Sequence, residues 1–281
     1  MQSFALTVLP LTEIRALWRF GLKIFRVRRF ECETLCPYCT PLPQFSHFIA
    51  IAFIIPYNGA YLNMVNLLSP FGILVLVVLI YSAILHEIAH GYVADRLGDP
   101  TARLMGRLTL NPIPHIDPVM SIALPLILIL SGSPVIFGGA KPVPVDPFNL
   151  PDGRRDFALV SAAGPLTNVI LAVIAAAILH IGFAGQPLSL IQQNVIGYLL
   201  VSIMEINLLL AFFNLIPIPP LDGSKIFALI LPEREADTYL SLGNTFGMLI
   251  LLFLLFFPIG GFSLMGLIST FLQFGIHLLG F

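Results

Sequence analysis

The chain has 281 residues, of which 57% are hydrophobic and 10% charged, with a formal net charge of −1. A soluble globular domain carries roughly 25% charged residues, so this composition argues against an ordinary soluble protein and predicts a polytopic membrane protein. No basic patch with interleaved aromatics suggests a nucleic-acid partner, and no repeat, low-complexity tract or long polar stretch marks a separate soluble domain.

At the N-terminus, Arg15, Arg19, Lys23 and Arg26 recur at helical spacing, with Leu11, Ile14, Trp18, Leu22 and Phe25 filling much of the opposite side. Residues 11–30 therefore predict a basic amphipathic helix on an anionic membrane surface, with an ordinary surface helix as the alternative. They lack the long apolar core and small-residue cleavage site of a signal peptide. Cys32, Cys36 and Cys39 follow and are the only cysteines. Their C-x3-C-x2-C spacing matches the iron–sulfur loop of radical enzymes that use S-adenosylmethionine, but no α/β-barrel sequence follows. A zinc knuckle completed by His47 is the other option, and an odd cysteine count argues against a closed disulfide framework. Residues 1–45 are assigned as an extension of unknown function and 46–281 as the membrane domain.

Residues 45–68 carry no charge and are interrupted by Pro56-Tyr57-Asn58-Gly59, which predicts either a kinked span or a re-entrant piece. Phe71 to Leu97 predicts a helix of roughly 40 Å, enough to cross a bilayer and protrude, stopped by Gly98-Asp99-Pro100. Residues 118–132 are apolar but short for a span. Phe137 to Pro147, rich in Gly, Pro and Val, predicts extended strand or loop. Further spans are predicted near 156–182, 192–215, 238–258 and 262–280. The fold class is thus all-α and polytopic, about six transmembrane helices with a short extended segment and a re-entrant piece after the 71–97 helix. Arg96, Arg103 and Arg107 share one loop, Lys141, Arg154 and Arg155 the next, and Lys225 and Arg234 a third, whereas 183–191 and 259–263 have none. The basic loops are therefore expected on the cytoplasmic side. Both loops flanking 118–132 are basic, so that segment re-enters or the rule fails there.

The 71–97 helix carries His86-Glu87-Ile88-Ala89-His90 after an uncharged, mostly apolar run from Phe71 to Leu85. H-E-x-x-H puts two imidazoles one turn apart on one helix face, with Glu87 leaning to the same side. Neutral imidazoles bind zinc, and the glutamate can deprotonate an attacking water. The same five residues arise by chance on solvated helices, but three ionisable groups inside an apolar span are costly and point to function.

A catalytic zinc site takes three protein ligands and keeps one position open. His115, Asp117, His180, Glu205 and Asp222 are the candidates for the third. Asp222 is favoured: it follows an apolar span in Asn214-Leu-Ile-Pro-Ile-Pro-Pro-Leu-Asp222-Gly223, where prolines hold the chain extended and Gly223 permits a sharp turn. A plain turn is the alternative there. Asn111, His115 and Asn214 are candidates to line a water route or position substrate, against simple hydrogen bonding to loop backbone. His115 is also a candidate supporting ligand. Glu205, within a span, suits pairing across helices, and His180 an interfacial position.

His86-Glu-Ile-Ala-His90-Gly-Tyr, Gly98-Asp-Pro-Thr-Ala, Gly106-Arg-Leu-Thr-Leu-Asn-Pro, His115-Ile-Asp-Pro, Ala140-Lys-Pro-Val-Pro-Val, Ala163-Gly-Pro-Leu-Thr-Asn168 and Asn214-Leu-Ile-Pro-Ile-Pro-Pro-Leu-Asp-Gly223 occur in this order. Together they resemble the site-2 protease family of intramembrane zinc metalloproteases, in its compact prokaryotic branch, over roughly residues 80–232, within a core taken as 71–232. The resemblance implies one Zn2+ per chain held by His86, His90 and Asp222, with Glu87 as general base. It also implies that Gly164-x3-Asn168 faces substrate near the zinc, with Asn168 a candidate for the oxyanion. Many relatives carry an inserted PDZ domain or C-terminal cystathionine-synthase-like domains, neither of which this sequence shows, and residues 1–45 do not match the family pattern.

The expected activity is hydrolysis of a peptide bond within or near a transmembrane segment of a membrane-protein substrate, in the lipid bilayer, by a multi-pass protein of a prokaryotic cell membrane with its site towards the cytoplasm. The extended stretch 137–147 is a candidate edge for pairing with an unwound substrate, or else a hairpin shielding the site. A catalytically silent relative that binds membrane proteins and a metal transporter are the alternatives. Retention of Glu87 speaks against the first, and polar residues gathered at one depth against the second.

Overall fold

The computed structural model describes residues 49–53, 69–131, 136–261 and 263–281. The expectations for the 11–30 helix, the three cysteines and His47 lie outside these residues. The first described helix, α1, runs Pro70–Leu97. Ser69 caps it by accepting from the Gly72 N–H at 3.1 Å, and Pro70 takes a first-turn position where no donor is needed. It ends at Gly98, whose φ of 120° no side chain tolerates readily.

After a one-turn helix α2 (Thr101–Leu104), a six-residue π-helix (Pro118–Ala123) leads into α3 (Leu124–Leu130). The 118–130 stretch rises no more than about 20 Å, less than the hydrocarbon core of a bilayer, so it does not cross alone. Two long helices follow, α4 (Arg154–Gly182) and α6 (Val195–Asn214), joined through the short α5 (Leu188–Ile191). Beyond them lie α7 (Asp222–Ala228), α8 (Glu233–Phe256) and α9 (Leu264–Leu278).

Three described helices, α1, α4 and α6, are long and apolar enough to cross a membrane. α8 adds a fourth only if its two halves, 233–243 and 245–256, which meet at 68°, count as one span. α9, at 15 residues, is shorter than a crossing. The expected six spans are therefore not reached among the described residues.

The sheet corrects one expectation. Ile49–Phe53 is not part of a span: it forms strand β1, antiparallel to β2 (Ile136–Ala140), with Ile49 opposite Ala140 and Phe53 opposite Ile136. A short apolar run cannot be told from a helical segment by periodicity alone, and the partner that decides the matter lies more than eighty residues away.

α4 is the centre of the bundle and packs against both α6 and α1. Ala172, Ala175 and Ala176 of α4 meet Val201, Met204 and Leu208 of α6. Small residues let two backbones approach closely where lipid, unlike water, gives no hydrophobic drive. The outward row Leu166, Ile170, Ile174 and Ile178 lies about half exposed, while Glu87, Asn168 and Asn207 are wholly buried. Apolar outside and polar inside is the arrangement a lipid solvent selects.

Candidate metal centre

The site is assembled from α1, α4 and α7. α1 supplies His86 and His90, and the first turn of α7 supplies Asp222, which follows the proline-rich 216–221 stretch. The end of α7 is tied to the start of α4 by Arg154, whose guanidinium donates to the carbonyls of Ala228 and, at 2.8 Å, Leu231. Asp222 Oδ2 lies 3.1 Å from His86 Nε2 and 3.2 Å from His90 Nε2. One ligand atom from each of the three residues falls within 4.8 Å of the others, and all three side chains are buried. A tetrahedral zinc with bonds of about 2.0–2.1 Å places neighbouring donors about 3.3 Å apart, close to both separations.

Hydrogen bonds fix the imidazole tautomers. The Ile203 carbonyl can only accept, so Asn207 turns its Nδ2 to it, at 2.8 Å, and also donates to Ser82 Oγ at 2.9 Å. Asn207 Oδ1 then accepts from Asn168 Nδ2 at 2.7 Å, which leaves Asn168 Oδ1 to accept from His86 Nδ1. His90 Nδ1 donates to the Val160 carbonyl at 2.7 Å. Both protons sit on Nδ1, and both Nε2 lone pairs face Asp222, as metal-ligating histidines require. Burial would push the Asp222 carboxyl up. The Lys225 ammonium, donating to Oδ1 at 3.1 Å, opposes this and favours the charged carboxylate. The three residues fit a divalent cation that favours nitrogen and oxygen donors.

Gly164 lies directly against this pair. A Cβ there would fall 2.4 Å from His86 Nε2 and 2.5 Å from His90 Nε2. Glu87, fully buried beside His86, accepts from the Val143 N–H at 2.5 Å through Oε2, while its Oε1 has no hydrogen-bond partner among the described residues. A buried carboxylate oxygen without a partner is costly, and this one is available to a water or substrate proton.

The other sequence candidates fall elsewhere. His115 is buried and donates through Nε2 to the Thr109 carbonyl at 3.0 Å. It lines a largely apolar cavity of about 270 Å³ between α1 and β2, outside the three-residue cluster, and burial lowers its pKa. Asn214 is buried at the end of α6 and donates to the Leu210 carbonyl at 2.9 Å. Asn111 accepts from the Ile113 N–H at 3.1 Å, a local loop bond. Asp117 caps the π-helix through Val119 and Met120, and His180 bonds the Leu279 carbonyl at 2.7 Å. Neither they nor Glu205 join the cluster. Asn168 sits behind the His86 ring with both ends of its amide engaged, which suits orienting the histidine better than contacting an oxyanion.

The extended stretch offers little free edge. β1 pairs along one side of β2, and Ser121 Oγ donates to the Gly139 carbonyl at 2.6 Å. Lys141 N–H donates to the His115 carbonyl, Arg107 takes the Lys141 and Pro142 carbonyls at 2.8 and 3.0 Å, and Val143 N–H goes to Glu87. Through Val143, the stretch holds Glu87.

Composition and spacing gave no sign of Val143 or the Val160 carbonyl, because backbone groups leave no side-chain signature. Lys225 was also missed: counted as a loop cation, it is 6% exposed.

Two imidazoles and one carboxylate that could hold a metal ion, with an adjacent buried glutamate, are the donor set and base of the metallohydrolase class. The profile of Peptidase family M50 matches residues 181–257, a stretch that contains Asp222 but not the His86–His90 motif. YwhC of Bacillus subtilis, named as a zinc metalloprotease, is 35% identical over 196 residues, covering 69% of this chain and 85% of its own. Rip2 of Mycolicibacterium smegmatis, likewise named, is 31% identical over 195 residues, covering 68% and 70%. No solved structure matches the chain significantly. The chain belongs to peptidase family M50, the membrane-embedded site-2 proteases, and is a metalloprotease. The family implies zinc, and the His86, His90 and Asp222 cluster suits it.

Asn168→Ala removes the acceptor that sets the His86 tautomer. Zinc affinity, measured by chelator competition, is expected to fall about 10- to 100-fold, the range found when such supporting hydrogen bonds are lost.

Proposed function

We propose that the protein hydrolyses a peptide bond within or near a transmembrane segment of a membrane-protein substrate, with His86, His90 and Asp222 holding one Zn2+. The observation that carries this reading is that Asp222 Oδ2 lies 3.1 and 3.2 Å from the buried Nε2 atoms of His86 and His90, and that Glu87, next in sequence to His86, has an Oε1 with no partner among the described residues. When bound, zinc supplies Lewis acidity to water and to the scissile carbonyl. Glu87 Oε1 accepts the proton of the attacking water and returns it to the leaving amine, while the Val143 N–H fixes the other oxygen. The surrounding apolar helices exclude bulk water, and a helical substrate must unwind to expose its peptide bond.

The site lies near the C-terminal end of α1, and the Arg- and Lys-bearing loops favour that end as cytoplasmic. Arg107 and Lys225 are buried in structural contacts, so Arg96, Arg103, Lys141, Arg155 and Arg234 carry most of the orientation argument. Counted as one span, the bent α8 brings the total among the described residues to four.

The detergent-purified protein is expected to cut a model transmembrane peptide, to lose that activity on chelation, and to regain it with added Zn2+. Full activity in the metal-free protein would contradict the proposal. A transporter would instead release zinc across vesicles without cleaving the peptide.

A further inference from the structure

The geometry points to Lys225 as a positioning residue that restricts Asp222 to one metal-facing oxygen. This inference rests on the metal site proposed above. Lys225 Nζ donates to Asp222 Oδ1 at 3.1 Å, while Oδ2 of the same carboxylate faces the two imidazoles at 3.1 and 3.2 Å. The two oxygens are divided between different partners. The ammonium is 5% exposed as a side chain and also lies 5.8 Å from the centre of the Phe157 ring on α4. Both residues stand in the seven-residue α7, three positions apart, so the backbone fixes their spacing.

Burying a lysine is expensive, and a well-packed apolar side chain of similar volume would usually stabilise the fold at least as well. What such a side chain could not do is occupy Oδ1. A carboxylate with both oxygens free can chelate a divalent cation through both, using the position that a catalytic site must leave open. With Lys225 in place the protein offers two nitrogens and one oxygen. The positive charge of Lys225 also offsets the negative charge of Asp222, so the carboxylate would donate less electron density to a bound cation.

The test uses the full-length protein in detergent, loaded with Co2+ as a spectroscopic probe, together with peptide cleavage by the zinc form. K225M frees Oδ1, and K225R keeps a charged donor. K225M is expected to bind cobalt with a weaker visible absorption band, the sign of a higher coordination number. Its kcat is expected to fall about 10- to 100-fold with KM unchanged, while K225R retains the native band. A native band and native kcat in K225M would overturn the inference. So would equal alteration of both variants, since that marks packing volume and not the hydrogen bond. If K225M takes up no cobalt, K225R decides alone: a native band supports the inference and an altered band overturns it. Failure of the unsubstituted protein to bind cobalt or zinc would overturn the metal site itself, and this inference with it.

Discussion

Glu87→Gln is expected to leave the zinc content unchanged and to lower kcat by about 10²- to 10⁴-fold, the range a positioned general base contributes. Glutamine keeps the size of the side chain, and its carbonyl oxygen can still accept from the Val143 N–H, so local structure survives. Glu87 is not among the clustered ligand atoms, so metal binding survives too. What disappears is the acceptor at Oε1, the buried oxygen without a partner among the described residues. Rates on a fluorogenic transmembrane peptide, with zinc measured on the same samples, check this. Activity above about a tenth of the native rate would remove Glu87 from the base role.

Gly164→Ala is expected to weaken zinc binding by about 10- to 100-fold, from the 1–3 kcal/mol that an added methyl costs in a filled site. The new Cβ would stand 2.4–2.5 Å from both Nε2 atoms. The rings cannot easily withdraw, because each is anchored through Nδ1 to α4, the helix that carries Gly164: His86 to Asn168 and His90 to Val160. Moving a ring away from the methyl breaks the bond that sets its tautomer. Gly182, at the far end of α4, has nothing within 4 Å of its Cβ position, and Gly182→Ala is the control. Native zinc affinity in Gly164→Ala would show that α1 and α4 are not held this close.

Much of this centre was legible in the sequence, because its parts are local. His86, Glu87 and His90 share two helical turns, and the apolar run before them made their cost visible. Asp222 required a long-range pairing that spacing does not reveal, but the proline-rich approach marked it out. The long helices α1, α4 and α6 fell close to their predicted limits, because caps and glycine or asparagine boundaries are written locally. Strand β1 was hidden because its pairing with β2 is non-local. Lys225 and Arg107 looked like loop cations, because composition cannot distinguish a charge in water from one buried against a carboxylate or a backbone carbonyl. Asn168 was placed near the metal by resemblance. Its position behind His86 depends on Asn207 and Ser82, on two other helices.

The most direct test is zinc per chain, by elemental analysis of the purified protein and of Asp222→Ala. One zinc in the native protein and none in Asp222→Ala, with the variant still folded by circular dichroism, is the expected result. No zinc in the native protein, or an equal amount in both, would contradict a metal centre built from His86, His90 and Asp222.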